Sequence, residues 1–260
     1  MSDKPIQSKK NKILHILTIA IFVILVCALA FFVIFKYQVE GEKNAVFDIS
    51  KILVVSTVEG VSKDAPTAKW DLNVNQNNDV YITVEKNGKK QDAIKNVTIN
   101  NIQIENAPAK GTLKLYKPAE TGLFKNDDKY KIENELIYAG SKEGSINNLE
   151  ISNQGGTVII RFCNANISTY TSNEDEQISH DGTLLTKTGV NVEEIKAKVS
   201  FDIIIETEYG IKYKTTANLD LPAGNILEEA TSTTEINTED LVLKRMWFWV
   251  ILGTGSKITT

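Results

Sequence analysis

"AKVSFDIIIETEYGIKYKTTANLDL", residues 197–221, is the stretch whose reading decides the fold. Ala197, Val199, Phe201, Ile203 and Ile205 recur every second residue, the period of a strand with one buried face. Ile211, Tyr213, Ala217, Leu219 and Leu221 form a second such row. A two-residue turn at Tyr209-Gly210 would throw the two rows onto opposite faces of the sheet. A three-residue loop, Glu208-Tyr209-Gly210, pairs Ile205 with Tyr213, Phe201 with Ala217 and Val199 with Leu219. It also puts Gly210 at the left-handed position that such a loop requires. The stretch therefore predicts an antiparallel hairpin closed by three residues.

The same period extends upstream. "WDLNVNQ" (70–76) places Trp70, Leu72 and Val74 on one face, and "DVYITVE" (79–85) repeats the pattern with Val80, Ile82 and Val84. Asn77-Asn78 between them reads as a hairpin turn. A strand is expected over residues 49–57. "NVTINNIQIEN" (96–106) changes parity at Asn100-Asn101, which predicts a β-bulge that keeps Val97, Ile99, Ile102 and Ile104 facing the core. "TLKLYKP" (112–118) reads as a strand stopped by Pro118. "TVIIRFC" (157–163) follows a Gly155-Gly156 turn, is apolar on both faces and reads as a central strand. Helical signals are short, at residues 126–135 and 192–196. The expected architecture is all-β: an antiparallel β-sandwich, or barrel-like, ectodomain over residues 47–221.

Residues 13–35 break this pattern. They form an almost unbroken apolar run in which only His15, Thr18 and Cys27 carry polar groups. A helix needs about 20 residues to cross a bilayer. Ala28-Leu29-Ala30 has the small-x-small look of a signal-peptidase site, but Phe31-Phe32-Val33-Ile34-Phe35 follows at once. A lipid box needs a small residue before the cysteine, and Val26 holds that place. The run is too long for an ordinary signal core, so the transmembrane signal-anchor reading is preferred to a cleaved signal. The lipid bilayer is then a partner through residues 13–35. Lys4, Lys9, Lys10 and Lys12 precede the run and outnumber the cations that follow it. Residues 1–12 thus form a basic cytoplasmic stub, with the C-terminal part outside.

The expected plan continues with a polar linker at 36–46 and a Thr/Glu-rich loop or linker at 222–240. An apolar, aromatic segment closes the chain at 241–260. In "LVLKRMWFWVIL" (241–252), Trp247, Phe248 and Trp249 are the expected partner-binding residues. They suit an interface, a membrane surface, or a buried last strand.

The chain of 260 residues carries a net charge of −4. Four Lys against Asp3 give residues 1–12 a charge of +3, so the remainder carries −7. An acidic outer domain without a basic stripe argues against nucleic acid as a partner. Cys27 lies in the apolar run and Cys163 in the outer domain, so no intrachain disulfide is expected.

Catalytic material is scarce. Cys163 is the one thiol and His180 the one histidine beyond the apolar run. Arg161, two residues from Cys163 on a strand, shares its face, and the three could form a Cys-His-Arg set. Such an inventory is similar to that of sortase transpeptidases, but no Thr-Leu-x-Thr-Cys stretch precedes Cys163 and the His follows the Cys. "HDGT" (180–183) reads as a polar turn with Gly182 at positive φ. The acidic runs "NDD" (126–128) and "NEDEQ" (173–177) lack the spacing of a calcium loop. No metal or cofactor is expected.

The Lys-flanked anchor and most of the outer domain, including "ISNQGG" (151–156), "HDGTLL" (180–185) and "KVSFDI" (198–203), resemble single-pass extracytoplasmic proteins of unknown function from AT-rich Gram-positive bacteria. That resemblance implies a location and no chemistry. The expected function is a membrane-anchored, non-catalytic binding or scaffolding protein, with a cell-envelope protein as candidate partner. The alternative is a membrane-tethered Cys-His enzyme acting on envelope substrate.

Overall fold

A computed structural model describes residues 4–43, 45–63, 68–88 and 91–246. Two compact units divide at Asn44. The first is one helix, α1, Lys4–Lys43. Its stretch Lys12–Val33 has a mean hydropathy of 3.2 and is long and apolar enough to cross a membrane. Side chains there are exposed throughout, Phe31 by 73%. The Thr18 hydroxyl donates back to the Leu14 carbonyl at 2.8 Å, which satisfies a polar group inside an apolar surface. The expected linker at 36–46 is corrected. The helix continues to Lys43, and Ala45 and Val46 are already buried in the second unit. Propagating an existing helix through Lys, Gln and Glu is cheap, and Gly41 costs only about 1 kcal/mol.

The second unit is a sandwich of two sheets. Its strands are β1 Phe47–Ser62, β2 Asp71–Lys86, β3 Ile94–Asn106, β4 Thr112–Tyr116, β5 Leu136–Ser141, β6 Glu150–Ser152, β7 Gly155–Thr171, β8 Ala197–Thr207, β9 Lys212–Leu221, β10 Thr231–Ile236 and β11 Lys244–Arg245. One sheet has the order β10-β1-β2-β7-β4 and the other β11-β9-β8-β3-β5-β6. Every pairing is antiparallel except β5 with β6. The β8–β9 hairpin has the expected register, Ile205 opposite Tyr213, Phe201 opposite Ala217 and Val199 opposite Leu219. Gly210 has φ +74° and donates to Thr207 O at 2.8 Å. Inward rows from both sheets make the main core, with the Phe162 and Phe201 rings stacked at 6.0 Å across it.

Several expectations change. Asn77-Asn78 is no turn, because β2 runs unbroken through it and pairs with β1 along its whole length. Leu72, Val74, Gln76, Asn78, Val80, Ile82 and Val84 share one parity, so two amides point into the interior. They survive there because they satisfy one another. Gln76 Nε2 donates to Asn78 Oδ1 at 2.6 Å and Asn78 Nδ2 returns to Gln76 Oε1 at 3.1 Å. Ser56 Oγ donates to Asn78 Oδ1 at 2.7 Å and accepts from Ala223 N at 2.8 Å. A satisfied buried polar network of this kind fixes one register.

The bulge at Asn100-Asn101 is present, with Asn101 at φ +49°. Only Ile102 follows it to the core, while Ile104, beyond the Asn96–Ile99 stretch that β5 covers, is 43% exposed. The turn before β7 falls at Asn153-Gln154, and Gly155 opens the strand. β7 is interior, between β2 and β4, and the middle position belongs to β2.

The expected loop at 222–240 contains β10, which pairs with β1 from Ile52–Ile236 to Thr57–Thr231. An edge strand that buries only Ser232 needs no apolar alternation. At the C-terminal end, Leu243 enters the core and β11 pairs with β9. Trp247, Phe248 and Trp249 lie outside the described residues.

"DGTLLTK" is not a loop either. It forms α2, Gly182–Lys187, capped by Asp181, whose carboxylate accepts from Thr183 N at 2.8 Å. Gly182 is required by close approach to the Ile226 carbonyl, 2.0 Å from where a Cβ would sit, and not by a positive φ. α2 and α3, Val192–Ile195, supply Leu184, Leu185 and Ile195 to a second apolar cluster with Val58, Leu72, Val74, Ile167 and Ile226.

Tyr138, fully buried on β5, ties the sheets together. Its hydroxyl donates to Ile159 O at 2.6 Å and accepts from Ile159 N at 3.3 Å. It serves the edge of β7 where β4 does not reach. Replacing Tyr138 by Phe strands both backbone groups. The expected loss is about 2–4 kcal/mol, above the ~1 kcal/mol of an ordinary hydrogen bond. Urea unfolding of the detergent-solubilised chain, followed by circular dichroism, checks it.

Candidate binding cleft

β1 outruns its neighbour at one end of the sandwich. β10 pairs with it only as far as Thr57, so the outer edge of residues 58–62 has no strand partner. His180 occupies that edge. Its Nδ1 accepts the Gly60 amide at 3.1 Å, capping a strand N–H that would otherwise be unpaired. The ring is exposed and lines the cleft described below, and Nε2 has no partner among the described residues.

The segment carrying His180 is fastened before it crosses the strand ends. Ser172 N donates to Trp70 O at 2.9 Å, and Trp70 N donates to Ser172 Oγ at 2.8 Å. Glu176 is the main clasp. It accepts from Lys187 Nζ at 2.6 Å, Asn173 N at 2.9 Å and Tyr170 Oη at 2.8 Å. The Lys187 ammonium, in front of Asn173 N–H and Tyr170 O–H, holds this carboxyl down at about 2. The ammonium also lies 5.3 Å from the Tyr170 ring centroid.

These constraints leave an open cleft of about 420 Å3 between the ends of β1 and β2 and residues 176–180. Leu72 and Ile178 are its apolar lining, with Gly60, Ser62, Trp70, Glu176, Gln177 and His180 around them. Trp70 shares the inward parity of Leu72 and Val74, but it lies beyond the core, so 37% of it stays exposed. Neither its indole Nε1–H nor the Gln177 amide has a hydrogen-bond partner among the described residues. Two of the carboxylates nearby are paired with lysines. Glu176 is paired with Lys187, and Asp71 with Lys63 at 3.1 Å.

The cleft and the candidate catalytic residues do not coincide. Arg161 and Cys163 do share a face of β7, but Arg161 is spent on Asp79, with Nε to Oδ1 at 2.6 Å and Nη2 to Oδ2 at 2.9 Å. It also stacks 4.6 Å from the Phe124 ring centroid and reaches Asn126 Oδ1 at 3.3 Å. Cys163 is fully buried among Tyr116, Ala119, Tyr130 and Ala165. Burial, with a further push from Glu59, raises its thiol to about 12, so the thiolate is disfavoured. His180 is bound to Gly60 instead, and the three residues do not come together.

The acidic runs have local duties. Asp127 caps a short 3-10 turn by accepting from Lys129 N at 3.0 Å, and Asn126 bonds to Glu59 and Asn77. Among the described residues, no three His, Cys, Asp or Glu side chains converge as metal ligands.

The sequence pattern places Trp70 on one face with Leu72 and Val74, and shows Gln177 only as the end of an acidic run. The cleft brings together residues 60–72 and 176–180, which no local pattern links.

Two tests follow from this geometry. Glu176 has a folded pKa below its usual value, so its stabilisation is full above about pH 4.5 and fades as pH falls toward about 2. Glu120, held at about 2 by Tyr130 and Lys129, acts in the same window. Glu176→Gln is expected to flatten part of the loss of urea midpoint between about pH 5 and 2, and an unchanged slope would contradict the clasp. In a Cys27→Ala background, Cys163 is expected to resist an aromatic disulfide reagent at about pH 8 until the chain unfolds. Prompt reaction in the folded chain would contradict its burial.

No protein-family model, no curated protein and no solved structure matches this chain, and its functional reading therefore rests on the cleft.

Proposed function

We propose that this chain is a membrane-anchored recognition module, with α1 in the bilayer, its Lys-rich N-terminus in the cytoplasm and the sandwich outside. The cleft at Trp70 and His180 binds a component of the cell envelope without transforming it. The carrying observation is that cleft: a concave site in which three side chains, Trp70, Gln177 and His180, keep hydrogen-bonding groups without a partner among the described residues. Concave sites with an apolar floor and a few convergent polar groups are the usual form of a binding site. Support for the orientation comes from Lys4, Lys9, Lys10 and Lys12 beside the apolar helix. Support for binding over catalysis comes from the buried thiol and the spent guanidinium.

Orientation is tested with Tyr209, 76% exposed at the tip of the β8–β9 hairpin. A Tyr209→Cys variant in the Cys27→Ala background is expected to react with a membrane-impermeant maleimide on intact cells. Protection until lysis would reverse the topology. Recognition is tested with a photo-crosslinking amino acid at Gln177 in cells. A shifted species is expected there and not from the same probe at Asn218, on the outer face of β9. No shift at Gln177, or equal shifts at both positions, would overturn the cleft as the binding site.

A further inference from the structure

We infer that the ligand of this cleft is a neutral carbohydrate, an uncharged sugar ring laid against Trp70 with its hydroxyls served by Gln177 and His180. This rests on the cleft being the binding site and names what it binds.

Three features carry the inference. The first is the aromatic surface. Trp70 is held by both backbone atoms to Ser172, yet its side chain stays 37% exposed. An indole face carries negative charge density, and the axial C–H bonds of a pyranose, polarised by neighbouring oxygens, are its complement. A side chain kept half open at a fixed backbone position is pre-organised, so little order is lost when a ring settles on it.

The second feature is the kind of polar group that faces the cleft. Gln177 offers one amide acceptor and two donors. His180 offers one ring nitrogen, Nε2, because Nδ1 on the far side is engaged by the Gly60 N–H. With Nδ1 accepting, the neutral ring carries its proton on Nε2 and presents a donor. The Trp70 indole adds another donor. A vicinal diol is both donor and acceptor at each oxygen, and this mixture of neutral partners satisfies it. A carboxylate or phosphate ligand would need a cation.

The third feature is the charge balance. Lys187 is committed to Glu176 at 2.6 Å and Lys63 to Asp71 at 3.1 Å. Among the described residues that line the cleft there is no Lys or Arg to meet an anion, and Glu176 is already paired against a cationic ligand. An outer charge of −7 also disfavours polyanions. An apolar peptide would leave the amide and both ring N–H groups unpaired on binding, which weakens it against a sugar of similar size. The volume of about 420 Å3 suits one or two rings, and the open rim lets a longer chain pass through.

The test uses the full chain in a lipid nanodisc, which avoids the sugar headgroups of common detergents. Neutral tetrasaccharides of glucose, mannose, galactose and N-acetylglucosamine are titrated by calorimetry, with tetragalacturonate as the anionic counterpart. At least one neutral tetrasaccharide is expected to bind with a Kd of about 1 mM or tighter. Trp70→Ala should weaken it by about tenfold or more, Trp70→Phe by less, and Gln177→Ala by severalfold. Unfolding curves of the variants separate lost binding from lost structure. No binding by any neutral sugar, equal binding by Trp70→Ala, or tighter binding of tetragalacturonate would overturn the inference. If the crosslink at Gln177 persists in cells while every sugar fails, the cleft reading stands and the carbohydrate class alone falls. If both fail, both readings fall.

Discussion

One strand keeps one parity inward from Leu72 to Val84, and most of the structure depends on that constraint. β2 is the middle strand of its sheet, and its inward row meets the facing sheet at Val80, Ile82 and Val84 and the helices α2 and α3 at Leu72 and Val74. A break anywhere in that row would turn Val80, Ile82 and Val84 out to solvent. The chain keeps the row intact even where the sequence supplies Gln76 and Asn78. It offsets the cost of burying two amides by pairing them with each other, with Ser56 and with the Phe162 carbonyl. The polar layer so formed divides the interior into a large apolar cluster between the sheets and a smaller one under α2 and α3.

The cleft is a product of the same strand running past its core. Leu72 is the last fully enclosed residue of the row, and Trp70, two residues earlier, has the correct parity but stays 37% exposed. The free edge of β1 beside it has an unpaired N–H at Gly60, and His180 caps that group with one nitrogen. A structural demand, covering an edge, thereby presents a ring nitrogen at the rim of an aromatic surface. The Glu176–Lys187–Tyr170 clasp ties residues 170–187 together at this end and pairs the Glu176 charge at the rim of the site.

The sequence is legible where parity and turn chemistry agree. The 197–221 hairpin is the clearest case, since two apolar rows and one glycine admit a single loop length. The bulge at Asn100-Asn101 is legible for the same reason. Asn77-Asn78 misleads because an Asn pair has strong turn chemistry, and the partners that keep it buried are remote in sequence. α2 is hidden by its length of six residues, and β10 by its edge position, where one buried Ser232 suffices. Of the candidate site, His180 was visible as a lone histidine, but its role was not. Gly60 and His180 are 120 residues apart, and the loop that joins them to Trp70 has no periodic signal.

The measurement that bears most directly on this account is native-state hydrogen exchange across residues 72–84. A continuous strand bonded on both sides by β1 and β7 predicts that the amides of Gln76, Asn77 and Asn78 exchange as slowly as those of Val80 and Ile82. Fast exchange confined to Asn77 and Asn78 would mean a turn in place of a strand, and both the polar layer and the cleft built beyond it would fall with it.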